Sequence, residues 1–522
     1  MSKFLGIDSS TQSMTGLVVD FSTEAIVAEE SIIFDEHFGD RYGVENGVLE
    51  LGPGEVHAPP LMWVEALDLL LERLRERCDL ASIAAISGCG QQHGTVYLNA
   101  TAASALARFG PGDPADALSG IFSRATTAPV WMDSSTASQC REIEAGVGGR
   151  NKLLELTGNA AFERFSGPQV RKFFQTDPEG YEATAAVCLV SSFIASLLAG
   201  RLVGVDAGDG SGTNLMDIRT RRWSPQAMAA TAPGLSAKLL PVAASDSPAG
   251  TISPRFAGRY GFAPGCQVLP FSGDNPSSLI GLGLVEPGQV ALSLGTSDTL
   301  FACMGEPRVS ASGEGAVFAS PDGLNYMALV CFMNGSLARE AVRDEHGLDW
   351  EMFTAALQRT EAGNGGALML PYFDPEIVPR VAEPGVIRKG LDPGDADATV
   401  RAVIEAQALS SRIHCEWMQV PVRSLSVTGG ASANTEILRI FANVHGAPVH
   451  RFRTTNSAAL GAALRAAHAH FRRAGPERSW SEIAAPFTKP VPGSTLQPDA
   501  SARAVYDDLV EDYRRLESLH AG

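Results

Sequence analysis

The sequence predicts an α/β protein built as two halves, and three observations lead there. Strand-like apolar runs alternate with helix-period runs along the whole chain. At 522 residues the chain exceeds what one hydrophobic core supports, so two or three domains are expected. The third observation is an internal echo. "FLGIDSSTQSMTGLVVD" (4–20) and "VALSLGTSDTLFACM" (290–304) share one plan: an apolar strand, a glycine, small hydroxyl residues with an acid, then a second apolar strand. Two such hairpins fit a duplicated fold facing itself across a cleft. On pattern alone they fit two unrelated hairpins equally well.

Each element follows from local chemistry. Phe4 to Ile7 and Gly16 to Val19 are short apolar strands around the polar turn "DSSTQSMT". In "MWVEALDLLLERLRER" (62–77), Met62, Leu67, Leu70, Leu71 and Leu74 fall on one helical stripe. "SIAAISGCGQQHG" is a buried strand breaking into a Gly-rich loop, and 100–120 is small-residue, Pro/Gly-punctuated peripheral chain. The stretch 179–200 holds a buried helix ending at Gly200. A polar break with two prolines at 244–254 puts the division near 250, giving domains 1–250 and 251–522. Long helices are expected over 395–418, 434–445, 456–473 and 500–519.

Composition excludes several classes. A formal charge of −18 argues against a nucleic-acid or anionic-membrane surface, since nothing would neutralise phosphate backbones. A small phosphorylated ligand held by backbone N–H groups remains compatible. The eight cysteines are scattered without a C-x-x-C pair or zinc spacing, as expected of thiols in a reducing compartment. With no signal-peptide core and no membrane-length apolar run, a cytoplasmic location is expected. No P-loop, no Rossmann G-x-G-x-x-G, no G-x-S-x-G elbow and no H-E-x-x-H is present.

The chemistry-bearing stretches that remain are turns. Gly6-Ile7-Asp8-Ser9-Ser10-Thr11-Gln12 can present N–H groups and hydroxyls to phosphate oxygens while an Asp holds Mg²⁺ through water. Gly295-Thr296-Ser297 can do the same. "LSVTGGASANTEILRIF" ends a strand in paired glycines and opens a helix, which favours a flat ring and negative charge nearby. Each is also explained as an ordinary turn. "FSGDNPSS" (271–278) reads either as a turn starting a helix or as a carboxylate held at a cleft.

Taken together and in order, these segments resemble the FGGY carbohydrate kinases of the actin–hexokinase–chaperone ATPase superfamily. "GCGQQHGTVY", "APVWMDSSTASQCR", "ERFSGPQ", "DGSGTNLMDI", "YMALVCFMNGSL", "GNGG" and "NSAALGAALRA" extend the likeness over nearly the whole chain. They are most similar to the longer, animal-like xylulose-phosphorylating branch. The resemblance implies two similar actin/hexokinase-like (ribonuclease H-like) domains facing each other across a central cleft. It implies ATP and Mg²⁺ as cofactors and D-xylulose as substrate, phosphorylated to D-xylulose 5-phosphate. Carried over by position, Asp274 is the general base, and His93, Arg164 and Asn275 join it in binding the sugar. Ser9, Thr11 and Gln12 fall on the first phosphate turn, with Asp8 on the metal; Gly295 and Thr296 fall on the second turn. Gly430, Ala431 and Asn434 fall on the adenosine motif, and Trp350 flanks the nucleotide. The first three groups belong to 1–250 except Asp274 and Asn275, which with the second turn and adenosine motif belong to 251–522. Where relatives commonly carry Lys in the first turn's second strand, this chain reads Met14-Thr15-Gly16. Neither nucleic acid nor membrane is an expected partner, and a homodimer is compatible with the sequence. The rival expectations are a kinase for another sugar or polyol such as ribulose, a non-kinase ATPase of the same superfamily, and a silent sugar sensor.

Overall fold

A computed structural model describes residues 3–110, 112–124, 127–452 and 456–520. The chain forms two compact units, and neither is one continuous stretch. The first takes residues 1–285, 317–326 and 456–488; the second takes 286–316, 327–455 and 489–522.

The first unit is organised by a seven-stranded sheet. Its strands are β1 (Lys3–Ser9), β2 (Ser13–Asp20), β3 (Ala25–Ile33), β4 (Ile83–Gly90), β5 (Gly250–Thr251), β6 (Gln267–Val268) and β7 (Ser272–Gly273). The order is β5-β6-β4-β1-β2-β3, with β7 also on β4. β1 runs antiparallel to β2 and parallel to β4, and β2 runs antiparallel to β3. The expected first hairpin is therefore present, and its register sets Asp8 beside Thr15 on one side and Cys89 on the other.

In the second unit, β8 (Gln289–Leu294) and β9 (Asp298–Met304) form the second hairpin. With β10 (Tyr326–Phe332), β11 (Ser424–Thr428) and β12 (Val449–Arg451) the order is β10-β9-β8-β11-β12. β11 is parallel to β8, as β4 is to β1. The internal echo is thus more than two hairpins, because the neighbouring strands repeat as well.

Amphipathic helices cover the sheets where the apolar spacing placed them. The helix Pro60–Arg77 buries Trp63, Leu67, Leu70, Leu71 and Leu74 against the first sheet. Each such side chain contributes about 1.5–3 kcal/mol on full burial. The other long helices run Ala396–Ile413, Thr435–His445, Ser457–Ala474 and Ala500–Ser518, within a few residues of expectation. The stretch 179–200 differs. It contains a strand, Thr184–Leu189, before the helix Val190–Ala199 that ends at Gly200. A continuous apolar run carries no period that separates the two.

The helix Ser457–Ala474 meets the helix Asp274–Gly281 at unusually close range. A Cβ on Gly281 would stand 1.9 Å from the Ser457 carbonyl, and one on Gly461 would stand 1.9 Å from the Ser277 carbonyl. Only glycine at both positions lets the backbones meet. Asp274 opens the helix anchored this way. Among the described residues no helix is long and apolar enough to cross a membrane.

Candidate active site

In the first unit, the loop after β4 and the junction after β7 converge on Asp274. The residue is the first of its helix, with Gly273 as N-cap, so "FSGDN" is a strand-to-helix junction. Three donors fall on one carboxylate oxygen: the Asn275 N–H at 2.8 Å, the Asn275 amide at 3.1 Å and the Gln92 N–H at 3.3 Å donate to Asp274 Oδ1. The Asn275 amide also donates to Gln92 Oε1 at 3.1 Å.

The electrostatics are unusual for a surface turn. Burial pushes the Asp274 carboxyl up to about 7, the negative charge of Asp8 pushes the same way, and the backbone N–H groups oppose both. Asp8 is also raised, chiefly by burial. Ser10 Oγ donates to Asp8 Oδ2 at 2.6 Å and the Cys89 thiol donates to Oδ1 at 3.3 Å. No cationic side chain of the described residues acts on either carboxyl. Among the described residues no three ligand-type side chains converge as a closed metal cage. Two half-buried acids lacking a counter-charge fit a divalent ion that keeps most of its water.

His93 lies beside them with a fixed protonation state. Its Nδ1 is 2.6 Å from the Gly212 carbonyl. A carbonyl only accepts, so the proton sits on Nδ1 and Nε2 carries a lone pair. The ring stacks on Phe165 with centroids 4.2 Å apart. Burial drives its pKa down to about 3, with Arg164 nearby adding to the drop. His93 is therefore a neutral hydrogen-bond acceptor at any working pH.

Arg164 is exposed, and its guanidinium lies 5.8 Å from the centre of the Trp131 ring. The Trp131 indole N–H donates to Thr11 Oγ1 at 2.7 Å, tying this loop to the first turn. Within that turn, Ser9 is buried and Gln12 is exposed. Thr15, in the strand where the resemblance leads one to expect Lys, is buried and bonded to Ser31 Oγ at 2.8 Å. Gln92 and Trp131 were not singled out from the sequence, although both lie in stretches that carried the resemblance. A glutamine whose backbone N–H does the binding leaves no residue-type signal.

In the second unit, Gly295, Thr296, Arg339, Trp350, Thr354, Gly430, Ala431 and Asn434 line one cavity of about 980 Å³. Asn434 caps the helix Thr435–His445, accepting from Glu436 N at 3.0 Å and Ile437 N at 3.3 Å. Its amide donates to Thr354 Oγ1 at 2.9 Å. Gly429 takes φ 84°, and a Cβ there would stand 2.4 Å from the Leu294 carbonyl. That glycine fixes where β11 leaves the sheet and where Gly430 and Ala431 face the cavity. Trp350 is half exposed, with the Arg343 guanidinium 4.7 Å from its ring centre. Every second-unit residue expected from the sequence thus borders the same space.

The likeness to known proteins has the same extent as this architecture. Residues 123–281 match the FGGY family of carbohydrate kinases, N-terminal domain, and residues 290–470 match its C-terminal domain. A xylulose kinase of Rattus norvegicus is 42% identical, over 98% of this chain and 96% of its own length. Among solved structures, a xyloylose kinase from Brucella ovis superposes with a TM-score of 0.82 at 23% identity, covering 99% of both chains. A gluconate kinase from Lactobacillus acidophilus superposes at 0.81 and 18%, covering 100% of this chain and 98% of its own. On the matched domains and the near full-length relative, the chain belongs to the FGGY family of carbohydrate kinases.

Proposed function

We propose that this protein transfers the γ-phosphoryl group of ATP to D-xylulose, giving D-xylulose 5-phosphate, with Asp274 as the general base. The observation that carries the reading is the state of Asp274: half-buried, with no cation paired to it among the described residues, and raised to about 7. A base with a pKa near the working pH combines a usable ionised fraction with a real affinity for the proton. Three donors already occupy Oδ1, so Oδ2 is the atom that takes the sugar's hydroxyl proton.

The remaining roles follow from chemistry. Phosphoryl transfer has a loose transition state, so positioning and charge stabilisation do most of the work. Neutral His93 accepts a sugar O–H at Nε2, Arg164 donates to a sugar oxygen, and Asn275, whose amide N–H groups are committed to Gln92 and Asp274, accepts a sugar O–H at Oδ1. Asp8 would hold Mg²⁺, and Ser9, Thr11 and Gln12 present the first turn to the phosphates. Mg²⁺ supplies charge neutralisation on the phosphoryl oxygens when bound. Gly295 and Thr296 receive phosphate, while Gly430, Ala431, Asn434 and Trp350 enclose the adenosine.

The choice of xylulose rests on near full-length relatives named xylulose kinase at 42% identity. The fold alone does not choose, since a gluconate kinase shares it. The test is ADP release across xylulose, ribulose, hexuloses, glycerol and gluconate. Highest kcat/KM with D-xylulose is expected; preference for another sugar transfers the assignment to it. ADP release indifferent to every sugar favours a non-kinase ATPase.

A further inference from the structure

Behind the second turn lies a buried cation that the reading so far does not use. Arg339 sits in the first turn of the helix Ser336–Glu345 and is 1% exposed. One guanidinium nitrogen donates to Asp298 Oδ2 at 2.9 Å and to Gln407 Oε1 at 2.9 Å. The other donates to Asp298 Oδ1 at 3.0 Å and to the Gly295 carbonyl at 3.1 Å. Gln407 in turn donates to the carbonyls of Asn334 and Gly335, both at 2.8 Å. The fork therefore grips both ends of the three-residue turn Gly295-Thr296-Ser297.

Helix stability does not explain this placement. A cation in the first turn opposes the helix dipole, and desolvating a guanidinium costs several kcal/mol. Its Nε is buried with no partner among the described residues. What the arrangement achieves is a turn held at both ends by one planar group, with Gly295, Thr296 and Arg339 on the wall of the same cavity. Asp298 meanwhile cancels the guanidinium charge locally, so Arg339 is not itself free to act as a phosphate ligand.

We propose that Arg339 is a positioning residue for ATP, fixing the Gly295–Asp298 turn so that its N–H groups and the Thr296 hydroxyl meet the phosphates in one geometry. The inference rests on the assignment of that turn to ATP. Phosphoryl transfer tolerates little misplacement, and shifts of about 1 Å cost up to about 100-fold.

The experiment compares Arg339→Lys, Asp298→Asn and Thr296→Ala with the parent protein. Lysine keeps the charge and loses the two-point fork. Calorimetry gives the ADP and sugar dissociation constants, and steady-state kinetics give KM for ATP and for sugar. For Arg339→Lys and Asp298→Asn we expect ADP affinity and ATP KM to worsen by about tenfold or more, with sugar affinity moving less than about twofold. A purely structural role predicts a lower melting temperature with both affinities of the folded fraction unchanged, and that result overturns the proposal. If Arg339→Lys does not fold, Asp298→Asn decides by the same criterion. Weaker ADP binding in Thr296→Ala alone refutes the positioning role and keeps the turn's assignment. Unchanged ADP binding in all three variants refutes the assignment as well.

Discussion

Asp8 and Asp298 are the acids of two hairpins set in sheets with the same strand order, yet their surroundings differ. Asp298 is gripped by Arg339 through both oxygens. Its carboxyl still lies above the usual range, because burial outweighs the pull of the guanidinium. Among the described residues Asp8 accepts side-chain bonds from the Ser10 hydroxyl and the Cys89 thiol, and burial holds its carboxyl above the usual range. The same contrast recurs inside the first unit. Asp206 is paired with Arg465 at 3.2 Å and accepts from Ser272 Oγ at 2.5 Å. Asp209, three residues on, accepts from Ser191 and stays well above its usual range, through burial and the charges of Asp274 and Asp206. A buried acid with a resident cation is already neutralised, whereas an acid without one can take up a cation or a proton.

The comparison can be broken at either kind of acid. The largest effect is expected from Asp274→Asn, which keeps shape and removes the base. Turnover should fall by about 10²- to 10⁴-fold in a coupled ADP-release assay, with ADP binding intact. Near-parent turnover would make Asp274 scaffold after all.

The Asp206–Arg465 pair should respond in stability instead. Arg465 donates to the carbonyls of Gly88 at 3.2 Å and Pro270 at 3.0 Å as well as to Asp206. Arg465→Met strands a buried carboxylate and should cost about 3–5 kcal/mol in chemical denaturation. A loss below about 1 kcal/mol would show that the pair is not what holds this region.

Two smaller effects sharpen the picture. His93→Ala removes an acceptor for a sugar hydroxyl, so KM for sugar should rise by about tenfold while KM for ATP moves by less than about twofold. Equal changes in both would take His93 out of the sugar site. Cys89→Ala removes the thiol donor to Asp8, and kcat should change by less than about fivefold. A larger loss would mean that Asp8 depends on that thiol for its orientation.

Much of this was legible in the chain. The hairpins, the long amphipathic helices and "FSGDN" carry local signals of period and turn chemistry, and the collinear likeness gave the roles. What was not legible depends on contacts distant in sequence. The Gln92 N–H reaches Asp274 across 182 positions, and Arg465 reaches Gly88 across 377. Arg339 and Arg465 carry no signal of their roles in the sequence, because charge type in one segment says nothing about burial against another. Trp131 read as part of a matching stretch, and only its bond to Thr11 shows that it touches the first turn.

The most direct measurement is the pH dependence of kcat/KM for sugar at saturating MgATP, between about pH 5 and 9. A group that must be ionised, held near 7 by burial and by the charge of Asp8, gives a rate that climbs as pH rises toward about 7 and then levels. On the acid side the slope should be about tenfold per pH unit, and the residual activity of Asp274→Asn should lack this limb. A profile flat down to pH 5, or an acid limb that survives in Asp274→Asn, would contradict the assignment of the uncompensated carboxylate as the base.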